Sequence, residues 1–394
     1  MSDLRARRTA LRFIVLIGIL SFFADFTYEG SRSIVGPYLA TLQASGTVVG
    51  IVTGLGELLG YSLRLFSGRW ADVTGRYWPI IIFGYAVQMA SVPALALTKN
   101  WPAAAVLIIL ERIGKAIRNP PRDVMLSRAG KHMGGYGWAF GLHEALDQFG
   151  AMFGPLAVSA VLALNGSYRE AFAVLLVPAI INFSLVLLAR FLYPTPPEME
   201  RSPPRAGRTE LPSIFWMYLL GAVFVAAGFA DYPMIAYHFT RAATVPANWI
   251  AIFYSVAMAV SGSGSLVMGW LFDRCGFWVL IAITLTCALF APLVFLGGFW
   301  FALLGAGVWG LGIGVHESIM PAAVTPMVSP RRRASAFGTF TAGYGIFWFL
   351  GSSAIGILYD VSVPAVVVFC VAVQLAAVPI FIWVGRRSAS QRRR

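Results

Sequence analysis

Long apolar stretches separated by short polar turns run along this chain from Leu11 to Val384. They lack the short alternating pattern of barrel strands. A hydrocarbon core of about 30 Å takes roughly 20 apolar residues in helical form, and stretches of that length recur throughout the sequence. Six are expected in the first half: Leu11–Tyr38, Val48–Phe66, Trp78–Leu97, Trp101 to Asn119-Pro120-Pro121, Trp138–Leu164 and Ala171–Leu192. Six more follow at Ser213–Ala236, Trp249–Phe272, Trp278–Leu296, Trp300–Met327, Ala334–Leu358 and Pro364–Val384. Pro194–Pro212, rich in Pro, Arg and Glu, cannot build a core and reads as a cytoplasmic linker. The expected organisation is therefore all-α and integral to the membrane. Twelve helices form two bundles, residues 1–193 and 213–394, joined by residues 194–212.

Composition supports the membrane reading. Of 394 residues 58% are hydrophobic and 12% charged, about half the charged share of a soluble domain. The net charge of +13 invites a nucleic-acid reading, but the placement of the charges argues against it. Basic residues gather at alternate loops, among them Arg5, Arg69, Arg76, Arg118, Arg122, Arg201, Arg274, Arg331 and the tail from Arg386, whereas the opposite loops hold Lys99, Arg169 and Arg241. This bias places both termini in the cytoplasm, and the expected location is the plasma (inner) membrane. Basic residues precede the first apolar run without a small-residue cleavage site, so that run is expected to be a retained helix. Three scattered cysteines imply no disulfide framework.

The polar turns repeat. Gly68-Arg69-Trp70-Ala71-Asp72-Val73-Thr74-Gly75 and Gly269-Trp270-Leu271-Phe272-Asp273-Arg274-Cys275-Gly276 share the pattern Gly-x-x-x-Asp-x-x-Gly, each where one apolar segment gives way to the next. A third Gly-x-x-x-Asp, Gly356 to Asp360, falls at the opposite membrane side. The halves also align at Phe23-Ala24-Asp25 with Phe229-Ala230-Asp231, at Ile113-Gly114 and Pro121 with Ile313-Gly314 and Pro321, and at Ala139-Phe140-Gly141 with Ala336-Phe337-Gly338. Parallel duplication explains the set, and it places a substrate path between the halves near mid-membrane. The first turn resembles the signature loop of the major facilitator superfamily, and the second stands where that family has its eighth-to-ninth loop. Gly150 to Gly154-Pro155 is similar to the helix-five motif of the superfamily's drug/proton antiporter exporters, although Val158 and Ser159 stand where that motif continues with glycine.

An ionisable residue deep in a membrane helix costs about 2.5–3.5 kcal/mol on insertion scales, so it needs a partner, water or a function. Helix one carries Asp25, Glu29 and Arg32 at spacings that share a face. Helix two carries Glu57 and Arg64; helix four carries Glu111, Arg112, Lys115 and Arg118; helix five carries His143, Glu144 and Asp147. The second half offers Asp231, His238, His316 and Glu317, with Thr341 and Tyr344 opposite Glu144 and Asp147 in the overlay. Structural ion pairing inside the first half would account for any one of these residues but less well for the set. The family resemblance places Asp25, Glu29, Arg32, Arg112, Lys115, Asp231, His316 and Glu317 on helices that line a central cavity. Glu144 and Asp147, which have no ionisable counterpart, are the expected proton carriers, with Asp25 in the cavity.

Pro120 and Pro121 are expected to end helix four. Arg118, Arg122 and Asp123 would then meet Asp72 and Arg76 in a cytoplasmic gate, with Asp273 as the counterpart in the second half. There is no Gly-x-x-x-x-Gly-Lys-Ser/Thr loop for nucleotide drive, no metal-ligand spacing among the histidines and no Ser/His/Asp set. The expectation is a monomeric transporter, not an enzyme, that needs no cofactor or metal. It would use alternating access to export a small organic molecule in exchange for protons. The alternatives are a symporter for an anionic solute held by Arg32, Arg112 and Lys115, and a lipid flippase or scramblase.

Overall fold

The computed structural model describes residues 2–131, 136–194, 211–329 and 332–392. Among these the regular elements are helical throughout. They are α1 Ser2–Thr41, α2 Gly46–Thr74, α3 Tyr77–Ala94, α4 Trp101–Lys131, α5 Tyr136–Ala163, α6 Tyr168–Val174, α7 Leu176–Leu192 and α8 Ser213–Ala227. Then come α9 Tyr232–Arg241, α10 Ala247–Cys275, α11 Phe277–Cys287, α12 Phe290–Phe295, α13 Phe299–Val324, α14 Arg333–Val361 and α15 Val363–Arg392. Eleven segments among the described residues are long and apolar enough to cross a membrane. The helix α4 has the length of a span, but Glu111, Arg112, Lys115, Arg118 and Arg122 lower its hydropathy. The expected linker falls almost entirely on 195–210, outside the described residues.

Contacts divide the chain into two compact units. One comprises Met1–Gln43, Leu59–Arg201 and Ala247–Ser255; the other comprises Ala44–Leu58, Ser202–Pro246 and Val256–Arg394. Each unit thus takes in a short segment from the opposite half of the sequence. The core of the first is apolar and aromatic, with Ile14, Ile17, Leu20, Tyr85 and Leu126 among its buried members. In it α1 and α5 approach closely, and a Cβ on Gly150 or Gly154 would run into the backbone carbonyls of Phe22 and Phe26. The small-residue spacing seen in the sequence therefore serves close helix packing, and α5 continues through Pro155.

Three expectations about the chain path need correction. The two repeated glycine–aspartate motifs are not turns along their length. Gly68 to Thr74 completes α2, Gly269 to Cys275 completes α10, and the chain turns only at the final glycines. Gly75 and Gly276 have φ of 66° and 59°, a region open to glycine at little steric cost. Each donates its N–H 2.8 Å to a carbonyl four residues back, Ala71 and Phe272 respectively, closing the helix end.

Helix α4 does not end at Pro120-Pro121 but runs on to Lys131. A proline at position 120 removes the N–H that would bond the carbonyl of Ala116. Ser67, on α2, donates its hydroxyl to that carbonyl at 3.0 Å. A side chain from the neighbouring helix thus replaces the missing backbone donor, which is how membrane helices tolerate proline.

The seventh expected helix is interrupted. It stops at Ala227 and restarts at Tyr232, with Asp231 as N-cap accepting from the Tyr232 N–H at 3.0 Å. Pro233 lies in the first turn of α9, where a missing N–H costs nothing. The third Gly-x-x-x-Asp also acts as a cap. Asp360 accepts from the N–H groups of Gly46 and Thr47 at 2.7 and 2.8 Å and from the Thr47 hydroxyl at 2.6 Å, satisfying the start of α2.

Candidate functional site

In the first unit α1 and α4 run antiparallel and face each other through polar residues at matched spacings. Ser21, Asp25, Tyr28 and Arg32 step along α1 by four, three and four residues; Glu111, Lys115, Arg118 and Arg122 step along α4 the same way. Steps of three and four keep one helix face, so two polar stripes meet as a ladder. Arg122 donates to Ser21 Oγ at 3.0 Å. Arg118 Nη2 and Lys115 Nζ both lie 3.7 Å from Asp25 Oδ1. Lys115 is also 3.9 Å from Glu29 Oε1 and 3.7 Å from the Tyr28 ring centre. Arg112 covers the same ring at 4.9 Å, and Arg32 donates to the Tyr28 hydroxyl at 3.4 Å. Tyr254, in the Ala247–Ser255 segment of this unit, donates to Glu29 Oε2.

Helix α3 supports the ladder from behind. Arg118 is fully buried, donates to Gln88 Oε1 at 2.6 Å and Tyr85 Oη at 2.9 Å, and lies over the Tyr85 ring. Gln88 passes the interaction on, its amide donating to Glu111 Oε1 at 3.3 Å, while Glu111 lies 3.8 Å from Arg112. The cations thus sit against carboxylates, which limits the net charge of a site where an unpaired ion would be costly.

Helix α5 adds a second polar group at the Ser21 end. His143 Nε2 is 2.8 Å from Ser21 Oγ, and Nδ1 is 3.5 Å from Asp147 Oδ2. With hydrogen on Nδ1, Ser21 donates to Nε2 while accepting from Arg122, and the imidazole turns its N–H to Asp147. Ligand atoms of His143, Glu144 and Asp147 lie within 4.8 Å of one another. Asp147 Oδ1 is buried without a hydrogen-bond partner, whereas Glu144 is exposed and accepts from Gln148 at 3.0 Å. Two carboxylates and an imidazole at this spacing can hold a proton or a small cation. The Arg122 guanidinium, sharing Ser21 with His143, adds positive charge nearby and disfavours a multivalent ion.

The second unit is built differently. Asp231 caps α9 and is buried at its start. His316, on α13, is packed among rings: Phe229 at 4.5 Å, and Tyr344 and Trp348 at 6.2 Å each. Glu317 is exposed. His238 meets the Tyr359 hydroxyl at 3.0 Å.

Of the expected gate residues, those whose side chains are described take the following places. Arg118 and Arg122 belong to the buried ladder, and Asp123 is bound to Arg122 at 2.9 Å. Arg76 and Asp273 are exposed, and the Asp72 side chain lies outside the described residues. Sequence reasoning missed Ser21, Tyr28, Tyr85, Gln88 and Tyr254. Gln88 was the most findable, being an amide inside an otherwise apolar span; Ser21 and Tyr28 share the face of Asp25 and Arg32.

A family model described as Major Facilitator Superfamily matches residues 16–295. An uncharacterized protein of Mycobacterium tuberculosis (strain ATCC 25618 / H37Rv) is 38% identical over 387 residues, 96% of this chain and 94% of that one. An MFS-type transporter of Methanocaldococcus jannaschii, itself described as uncharacterized, is 27% identical over 365 residues, 89% of each chain. Among solved structures, a nucleoside transporter NupG superimposes with a TM-score of 0.74 at 15% identity, covering 96% of this chain and 99% of the other. At that identity the likeness speaks for the fold alone.

Proposed function

This chain belongs to the Major Facilitator Superfamily, which makes it a multi-pass membrane transporter rather than an enzyme, and we propose that it exports a small organic molecule from the cytoplasm across the plasma membrane in exchange for protons. In this reading α4 completes a set of twelve membrane helices in two pseudo-symmetric six-helix bundles joined by the 194–212 linker. Both termini are cytoplasmic, and the protein works as a monomer by alternating access.

The observation that carries the reading is the chain of polar contacts from α5 into the ladder: Asp147 to His143, His143 to Ser21, Ser21 to Arg122. Two carboxylates and an imidazole this close respond to one another's protonation, so such a group can exchange protons. Glu144 and Asp147 carry the coupling proton, and Asp25, paired to Arg118 and Lys115, passes its state to the cavity face of α1. Glu29, Arg32, Arg112, Lys115, Asp231, His316 and Glu317 contact or orient substrate. Arg76, Asp72 and Asp273 act at the cytoplasmic ends of α2 and α10. Proteoliposomes with an imposed pH gradient and a panel of small organic solutes test the reading. Inward-directed proton flux should drive solute the opposite way, and solute movement indifferent to the gradient contradicts it.

A second reading rests on Arg32, Arg112 and Lys115 gathering round Tyr28, a cationic corner suited to an anionic solute and to symport. The carboxylates at Glu29, Asp25 and Glu111 offset that charge and favour the first reading. Binding of a simple organic anion that collapses in Arg32→Gln but survives in Glu29→Gln would reverse the preference.

A further inference from the structure

Among the described residues of the second unit's aromatic layer, His316 and Trp348 each carry a covered polar atom with nothing to bond. His316 keeps 7% of its surface exposed and Trp348 only 3%, yet His316 Nδ1 and Trp348 Nε1 are covered and have no hydrogen-bond partner. Leaving a buried donor or acceptor unmade costs about 1–3 kcal/mol each, and native proteins carry few such groups without a reason. Trp309 in the same layer shows the ordinary solution: it is fully buried and donates its indole N–H to the Ala230 carbonyl at 2.8 Å.

The two unpartnered groups are neighbours. The His316 and Trp348 rings lie 6.2 Å apart and almost perpendicular, at 88°. Phe229 touches both, at 4.5 Å from His316 and 5.9 Å from Trp348. No Asp, Glu, Lys or Arg makes a hydrogen bond or ion pair with either side chain among the described residues. The site therefore combines π-faces, an indole donor and an imidazole edge. That chemistry suits a flat ring carrying a hydrogen-bond acceptor, since aromatic rings pair by offset stacking and edge-to-face contact.

We propose that Phe229, His316 and Trp348 form a recognition site for a planar nitrogen heteroaromatic group of the transported molecule, with Trp348 Nε1 donating to the ring acceptor. The inference rests on the transporter reading above and names the substrate class. The donors are covered in this structure, so the ligand reaches them as the aromatic layer parts during the transport cycle. A site built to bond an acceptor also rejects a ring that lacks one, because the indole then stays unpaired.

The test is equilibrium binding to detergent-solubilised protein with no pH gradient, so the result does not depend on proton coupling. Quinoline and naphthalene are the probes: the same shape, with and without a ring acceptor. Wild type should bind quinoline at least tenfold more tightly than naphthalene. Trp348→Phe, which keeps a ring and removes the N–H, should bring the two within about twofold, as should His316→Leu if its edge shapes the same slot. Trp309→Phe is the control: it loses a satisfied hydrogen bond and should lower the Tm while keeping the discrimination. Equal binding of both probes by wild type, no binding of either, or discrimination that survives in a folded Trp348→Phe protein overturns the proposal.

Discussion

Asp25 and Asp231 end the same tripeptide, Phe-Ala-Asp, and do different work. Asp25 sits inside the unbroken helix α1 with two cations from α4 at 3.7 Å. Asp231 sits where a helix has stopped, and its carboxylate serves the first N–H of α9. The neighbours decide the difference. Gly228 and Pro233 flank the second aspartate, one permissive and one without an N–H, and the helix breaks between them. No glycine or proline lies within four residues of Asp25, so its carboxylate stays free to face α4. One of the two acids is a charge partner and the other a backbone cap.

The contrast extends to the interiors. The first unit buries ions and balances them through Gln88, Tyr85 and Ser21. The second buries rings, and the sequence overlay sets Tyr344, part of its aromatic layer, opposite Asp147. The proposed division of labour puts coupling chemistry in one unit and recognition of an uncharged ring in the other.

The sharpest way to break this contrast is to remove one charge from the ladder. Arg118→Ala removes the donor to Gln88 Oε1 and Tyr85 and leaves Asp25 with Lys115 alone, and losing one member of a buried ion pair costs about 3–5 kcal/mol. Thermal unfolding in detergent should show a large drop in Tm, whereas His316→Phe, which removes no hydrogen bond, should leave Tm nearly unchanged. Equal effects would erase the distinction between the two interiors. A polar group that caps a helix end should matter less. Asp360→Ala removes a helix cap and should cost about 1–2 kcal/mol, again read from unfolding. Ser67→Ala withdraws the donor that replaces the missing Pro120 N–H and should cost about 1 kcal/mol. Restoring that N–H with Pro120→Ala in the Ser67→Ala background should recover most of the loss; no recovery would refute the repair.

The architecture was legible because lipid leaves a chain few choices: spans must be long, apolar and helical. Within the spans, whether a helix continued was harder to read. Pro120-Pro121 looked terminal because the sequence does not show that Ser67 stands beside Ala116. Asp360 looked misplaced because its partners, Gly46 and Thr47, lie far away in the chain. The charged residues of α1 and α4 were visible as candidates, and their i, i+4, i+7 spacing already implied faces. Their partners were not legible: the proline argument puts Arg118 at the end of helix four and Arg122 beyond it, facing a cytoplasmic gate, and the structure puts both against α1. Uncharged members such as Tyr85 and Tyr254 carry no sequence mark that separates them from ordinary aromatic residues of a membrane protein.

The central claim is that the polar chain of the first unit carries the coupling proton, and one measurement bears on it directly. Glu144→Gln with Asp147→Asn, reconstituted in proteoliposomes, is compared with wild type in two assays: uptake driven by a pH gradient, and solute exchange at equal pH on both sides. The account predicts that gradient-driven transport is lost while exchange continues near the wild-type rate, because substrate contacts lie elsewhere. Full gradient-driven transport in the double variant would contradict it and move the coupling site to Asp25 and Glu29 on α1.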